Sequence, residues 1–289
     1  MKGCAVSTCR YSGWRVGPEV AEDEVAEDEV PGDEVLVKTI KVATYNLHSC
    51  VGTDGQRDPD RTLKVLRDIG PDIVAMQEVC GRNATDQYRF FEKGLGLHGV
   101  SAPLMRRRYR PFGNALFTRF PIVSCETLDL TVAPFEARDA LICVLDCDGV
   151  KVRVVATHLG LFPHEQELQL KRLSRVIHDG DWPLTLVMGD FNIFGPARRR
   201  LGQLGAPIPL PRVRSFPSRR PLMSLDRIFS IPNGQVQSLG VLRNGRTIAA
   251  SDHLPLIAEL QIDPLEKVEK KVKRTLRQRL RMVPDQPAA

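Results

Sequence analysis

The sequence predicts an α/β or α+β domain with a mixed sheet, and three observations carry that expectation. Strand-like runs dominate residues 38 to 262, with helical patterns lying between them. No linker divides that span, so it reads as one domain. The 289 residues are 42% hydrophobic and 26% charged, an ordinary globular balance with apolar material for a sizeable core.

The elements follow in order. From Val37 the chain turns β-rich, and VLVKTIKVATYNLHS alternates as a strand does. DPDRTLKVLRDIGP places Leu63, Leu66 and Ile69 at helical spacing before a Gly-Pro stop. DIVAMQEV is a short buried strand. GNALFTRFPIVSCETLDL and DALICVLDCDGVKVRVVATHLG read as antiparallel strands, with Asp148-Gly149 as a hairpin turn. PHEQELQLKRLSRVIHDG is a helix whose apolar face is Leu168, Leu170, Leu173 and Ile177. WPLTLVMGDFN is another buried strand. A Pro- and Arg-rich loop over 195 to 221 leads into SLDRIFS and VQSLGVLRNG, and SDHLPLIAELQI closes the domain.

Charge is unevenly spread. Residues 1 to 37 carry three Lys/Arg against nine Asp/Glu, and include the repeat VAEDEVAEDEV, which has too little apolar surface to repay ordering. Residues 265 to 289 carry eight Lys/Arg against three Asp/Glu. The total of +6 leaves +7 for the segment between, a basic body that favours a phosphate-bearing partner. In the segment 263 to 289, Leu265, Val268, Val272, Leu276 and Leu280 form one apolar stripe among Lys and Arg. That stripe suits a helix packed on the body, and equally a basic amphipathic helix making peripheral contact with anionic lipid or gripping nucleic-acid phosphates. The 7 cysteines form no CxxC pair, and Cys143 and Cys147 read as small core residues of a reduced, cytoplasmic protein. No signal peptide or membrane-length apolar run is expected.

Polar groups recur where apolar runs end. Asn46 ends KVATYN, Glu78 ends DIVAMQE, and His158 ends VRVVATH. Asp190 and Asn192 close VMGDFN, Asp226 lies in MSLDRIF, and Asp252 and His253 precede LPLIAEL. Each has a plain explanation taken alone: Asp190 and Asn192 as a turn, the others as solvated or hydrogen-bonded bystanders. If the strand persists past Asp190, however, Asn192 shares its face. The repeated placement of metal-ligand, acid-base and amide types at a sheet edge points to a site.

In the order TYN, QE, THLG, GDFN, LDRIF and SDH, these segments closely resemble the endonuclease/exonuclease/phosphatase superfamily. The resemblance covers residues 38 to 262. It implies a DNase I-like four-layered sandwich, two β-sheets packed face to face and flanked by helices, that hydrolyses a phosphoester with Mg²⁺ (or Mn²⁺ as substitute). It further implies Glu78 as main metal ligand with Asn46 beside it and Asp252 as an outer contact. Asp190 would orient or deprotonate water, and Asn192 would hold a phosphate oxygen. Asp226 would fix and charge the His253 imidazole, and His158 would assist the leaving oxygen. Asn114 and Arg138 match phosphate-contacting positions. Two departures matter. Some relatives carry an acid where this chain has His48, so one tight metal is expected rather than two. The segment LMSLDRI lacks the aromatic of abasic-site endonucleases, and the only tryptophans are Trp14 and Trp182, which argues against a base-stacking pocket.

The run RRRYR at 106 to 110, together with Arg138, Arg219 and Arg220, clusters around the expected mouth and suits a multiply charged phosphate. A nucleic acid is the simplest substrate, which makes the protein a phosphodiesterase or nuclease. A phospholipid or inositol phosphate at an anionic membrane surface is the alternative. A phosphate-binding pseudoenzyme is disfavoured by the intact set Glu78, Asp190, Asn192, Asp226 and His253.

Overall fold

Strand β1 (Lys38–Asn46) runs parallel to β2 (Ile73–Cys80), and its residues Ile40 and Val42 point to one side while Ala43 and Tyr45 point to the other. Both faces are buried, which is why this part of the chain reads as a continuous apolar run. The computed structural model describes residues 38–80, 86–102, 105–106, 111–195, 197–204 and 213–263. The acidic segment 1–37, the basic segment 264–289 and Arg107 to Arg110 of the basic run lie outside the described residues.

The first sheet adds β3 (His98–Ser101), β4 (Met105–Arg106), β5 (Pro111–Thr118), β11 (Val236–Val241) and β12 (Leu256–Ile262). Its order is β11-β12-β1-β2-β5-β3, with β4 also on β5. The second sheet contains β6 (Ile122–Asp129), β7 (Asp139–Cys147), β8 (Val150–His158), β9 (Leu184–Asp190) and β10 (Asp226–Ile231), in the order β10-β9-β8-β7-β6. Only β1–β2 and β8–β9 pair in parallel among the described strands, so both sheets are mixed. Ile40, Val42, Ile73 and Leu116 of the first sheet pack against Leu141, Val152, Leu186 and Met188 of the second. Outside the first sheet, Leu63 and Leu66 of α1 (Pro59–Ile69) and Phe91 of α2 (Gln87–Leu95) cover Tyr45 and Met76. Outside the second, Leu170, Leu173 and Ile177 of α3 (Pro163–Ile177) cover Val155, Val187 and Phe229. Helix, sheet, sheet and helix make the four layers of a DNase I-like sandwich.

Local signals set the ends of these elements. Asp58 accepts the Arg61 amide at the start of α1, Pro59 takes the first helical position, and Gly70 closes the helix at φ 58°. Asp148 and Gly149 join β7 to β8 with φ 55° and 91°, as the Asp-Gly pair predicts. Helix α2, strand β3 and the helix α4 (Gly245–Ala250) are additions to the sequence reading. Their caps are nonetheless visible in it: Asp86 accepts the Arg89 amide, and Asn244 forms a capping box with Thr247.

Two expectations are corrected. The buried face of α3 contains Leu170, Leu173 and Ile177 as expected, but Leu168 is only half-buried and Glu165, Gln166 and Gln169 are buried instead. Gln166 Nε2 donates to the Gly160 and Asn192 carbonyls, both at 2.8 Å, and Gln169 Oε1 accepts the Gly160 amide at 2.9 Å. These bonds satisfy loop backbone that would otherwise be orphaned in the interior, which repays the burial of polar side chains. Secondly, Cys143 is buried as expected but is joined to Cys125 in a disulfide, because the β6–β7 register sets the two residues opposite each other. Cys147 is buried and free.

One glycine has no alternative. Gly189, at φ +149°, lies opposite Thr157 across the parallel β8–β9 pair, and a Cβ there would stand 1.9 Å from the Thr157 carbonyl oxygen. Replacing it by alanine should force the strand ends apart. Gly189→Ala is expected to lower the unfolding free energy in urea titrations by roughly 2 kcal/mol or more, combining overpacking with backbone strain.

Candidate active site

Strand register assembles the centre. On the second sheet His158 pairs with Asp190, and Asp190 pairs with Asp226, so three polar residues end adjacent strands in a row. On the first sheet Asn46 ends β1 opposite Gln77, one residue before Glu78. The β2–β5 ladder slips between Met76 and Val79, and Glu78 takes φ +57°. A bulge of this kind turns a side chain out of the regular alternation, and a non-glycine residue held there marks a site where backbone strain is tolerated. Glu78 thereby lines the cleft while its neighbours stay buried.

The two rows meet at Asp190, which is 1% exposed. Asn46 Nδ2 donates to Asp190 Oδ2 at 3.0 Å and to Glu78 Oε1 at 3.2 Å, and the Asn192 amide donates to Asp190 Oδ1 at 2.9 Å. Strand β9 ends at Asp190, and Asn192 lies beyond it at φ +50°. Asn192 is therefore not the next residue on the same strand face. It reaches the site through an Asx-type turn, so the turn and site readings of GDFN are both satisfied. Burial pushes the Asp190 carboxyl up to about 6, against the pull of His253 and of its two hydrogen-bond donors.

His253 stands over this carboxylate. Its Nδ1 donates to Asp226 Oδ2 at 2.9 Å, its Nε2 is 3.7 Å from Asp190 Oδ2, and its ring packs on Phe216 at 4.8 Å. Burial alone would lower its pKa, but Asp226 and Asp190 together more than offset that and lift it to about 10. The ring is an imidazolium at neutral pH. Ser215, which the sequence reading missed, donates to Asp226 Oδ2 at 2.5 Å and fixes that carboxylate from behind. The hydroxyl of Ser251, in the SDH segment, donates to the Asn46 carbonyl, tying the His253 loop to β1.

His158 is different. Arg138 Nη1 stands 3.1 Å from its Nδ1 and Asn192 Nδ2 3.0 Å from its Nε2, so donors face both ring nitrogens, and Asp190 Oδ2 lies 3.6 Å from Nε2. Burial, then Arg138 and His253, hold its pKa well below the usual value, so His158 is neutral. Two histidines a few ångströms from one carboxylate thus hold opposite charge states.

The cleft above these groups has a volume of about 290 Å³. Glu78, Asp252, Asp190, Asn192, His158, His253, Arg138 and Glu136 supply its polar wall, and Phe112, Leu161, Phe194, Phe216 and Leu225 its apolar wall. Three proposed phosphate contacts are not on that wall. Asn114 is buried and donates to Asp139 Oδ1 at 2.7 Å, beneath the site. Arg219 donates to the Thr53 carbonyl at 2.9 Å, and both Arg219 and Arg220 are exposed on the loop that carries Phe216. Loop direction, which local sequence does not specify, turns them away.

For metal binding, Asp190, Asp226 and His253 bring three possible ligand atoms within 4.8 Å of one another. A cation there would have to displace the His253 proton. A different set is all oxygen: the Glu78 and Asp252 carboxylates share the cleft wall, of the kind a hard divalent ion takes, and Asn46 bonds Glu78 through Nδ2 while its Oδ1 accepts the His48 amide.

A family model described as Endonuclease/Exonuclease/phosphatase family matches residues 43–253. The chain belongs to this family. YbhP of Escherichia coli (strain K12) is 28% identical over 254 residues, covering 78% of this chain and 97% of that protein. An endonuclease/exonuclease/phosphatase structure from Beutenbergia cavernae aligns with TM-score 0.65 at 22% identity, over 79% of this chain and 73% of its own. D. rerio TDP2, crystallised with a single strand DNA product, aligns at 0.60 and 16% identity, over 77% and 98%. The Bacteroides thetaiotaomicron mannosyl-6-phosphatase Bt3783 aligns at 0.60 and 17% identity, over 77% and 99%. These structures share the fold, and their chemistry spans nucleic acid and sugar phosphate. Within the family, the protein is a phosphoester hydrolase.

The His253 assignment has a consequence for stability. Its pKa is raised in the folded state, from 6.5 to about 10, so its contribution is complete below 6.5 and fades as pH rises through about 10. Urea titrations across that interval should show wild-type stability falling with pH, and His253→Gln should flatten the fall. A slope unchanged by the substitution would contradict the imidazolium assignment.

Proposed function

We propose that the protein is a divalent-metal-dependent phosphodiesterase, acting on nucleic acid in the simplest reading. The observation that carries this is the buried Asp190 carboxylate, fixed by Asn46 and Asn192 between a bulged Glu78 and an imidazolium at His253. Glu78, Asn46 and Asp252 would hold Mg²⁺, or Mn²⁺ in its place. When bound, such a cation supplies Lewis-acid stabilisation of a phosphoryl oxygen.

The chain's own residues account for the rest. Asp190 accepts the proton of the attacking water, and its pKa of about 6 suits a base working near neutrality. His253, held charged by Asp226, donates from Nε2 to a phosphoryl oxygen and stabilises the charge that builds there. Asn192 and Arg138 orient the remaining oxygens. Neutral His158 faces the leaving side through Nε2, rather than acting as an imidazolium acid.

A second reading, hydrolysis of a lipid or inositol phosphate, is favoured by one observation. Leu161 and Phe162 are each 55% exposed and Phe194 43%, an apolar lip beside the catalytic wall. Such a lip accommodates an acyl chain, and its rings can also stack on a nucleobase. The test is a panel of single-stranded and duplex nucleic acids, inositol phosphates and anionic vesicles, each offered with Mg²⁺ and with excess EDTA. Cleavage of nucleic acid that stops with EDTA is expected, lipid-only cleavage would select the second reading, and undiminished hydrolysis in EDTA would remove the metal.

Asp190→Asn keeps the shape of the side chain but cannot take a proton. Turnover should drop by ~10²- to 10⁴-fold with the melting temperature little changed. Wild-type turnover in this variant would show that another group activates water.

A further inference from the structure

A second amide crosses from one sheet to the other, beneath the guanidinium of the cleft. Asn114 lies on β5 of the first sheet, and Asp139 begins β7 of the second. Asn114 Nδ2 donates to Asp139 Oδ1 at 2.7 Å and to the Asp139 carbonyl at 3.1 Å. Both partners are acceptors, so the two N–H groups hold the amide in one orientation. The residues are 2% and 5% exposed, and a bond to a carboxylate is stronger in such surroundings than in water.

Asp139 is also the residue that follows Arg138. Its carbonyl accepts the Thr157 hydroxyl at 3.4 Å, one residue before His158. The Arg138 carbonyl accepts the Leu130 amide at 2.9 Å, and the Arg138 amide donates to Thr131 Oγ1 at 3.3 Å. Within its own sheet, the backbone that carries the guanidinium is thus tied to β8 and to the segment after β6. Asn114 ties it to the other sheet, the one that carries Glu78. Burial pushes the Asp139 carboxyl up to about 6, against the Asn114 bond and the Arg138 charge, so carboxylate and guanidinium also act on each other directly.

We propose that Asn114 is a positioning residue: through Asp139 it sets where the Arg138 guanidinium stands relative to the first-sheet half of the cleft, and so how tightly a phosphoryl oxygen is held. The inference rests on the phosphoesterase reading, in which Arg138 orients such an oxygen, and goes beyond it by giving Asn114 and Asp139 a function. The family resemblance implied a direct phosphate contact for Asn114. Burial removes it from that contact, and its bond across the two sheets gives it an indirect one.

We would measure kcat and KM for bis(p-nitrophenyl) phosphate, and competitive inhibition by inorganic phosphate, with the full chain and Mg²⁺, confirming folding by circular dichroism melts. Asn114→Ala should raise KM and the phosphate inhibition constant about ten-fold with kcat within about three-fold, as expected when an oxygen is held alike in ground and transition states. In an Arg138→Ala background the same substitution should change KM by less than about two-fold. Asn114→Asp sets two carboxylates against each other and should raise KM further. Adding Asp139→Asn should then bring KM back to within about three-fold of wild type, because the exchanged pair keeps the bond with donor and acceptor reversed.

Wild-type KM and phosphate inhibition in folded Asn114→Ala, or an equal loss with and without Arg138, overturns the role of Asn114. An exchanged pair that folds but keeps the raised KM of Asn114→Asp also overturns it, and decides the matter if Asn114→Ala does not fold. These results leave the phosphoesterase reading intact. Hydrolysis of no substrate by the wild type, here and on the wider panel, removes that reading and this inference with it.

Discussion

The Asn46 amide donates to the Asp190 carboxylate at 3.0 Å across the seam between the two sheets, joining residues 144 positions apart. This bond has meaning only because both sheets present their strand ends at the same edge. The inter-sheet core of Ile40, Val42, Leu186 and Met188 holds β1 and β9 face to face, and the side chains just beyond that core must then meet. Packing density does the positioning. A strand that slipped by one residue in its sheet would reverse which of its side chains face the seam, and the acid, the amide and the imidazolium would no longer share a space.

Burying so much polarity in one place is costly unless each group is paired. The centre meets that cost through a division of charge. His253 is lifted to about 10 and carries the positive charge, His158 is held neutral, and Asp190 is raised to about 6, where it can take a proton. Environment alone separates the two histidines: one leans on carboxylates, the other receives a guanidinium. Groups tuned apart in this way are able to act as distinct partners in one proton-transfer sequence.

Support comes from residues outside the catalytic wall. Gln166 and Gln169 of α3 bond the backbone at Gly160 and Asn192, Ser215 bonds Asp226, and Ser251 bonds the Asn46 carbonyl. Each fixes a loop that carries a site residue to a rigid element. That is how a centre assembled from strand ends and turns keeps its geometry without an element of its own.

The sequence by itself determined the strands of both sheets except β3 and β4, helices α1 and α3, and that Asn46, Glu78, His158, Asp190, Asn192, Asp226, Asp252 and His253 lie where apolar runs end. Apolar runs ending in acid, amide and imidazole are local patterns, and local patterns survive in one dimension. Tertiary structure decided what depends on distance. It rotated α3 so that Gln166 and Gln169 face inward, replaced strand alternation at Asn192 by a turn, and opposed Cys125 to Cys143. It also set Asn114 beneath the site and turned Arg219 towards Thr53, while placing Glu136 on Arg138. A charged side chain in a loop has the same local sequence whether it faces substrate, backbone or solvent. Only the packing of the loop on the sheets fixes its partner, and with it the charge that a substrate meets.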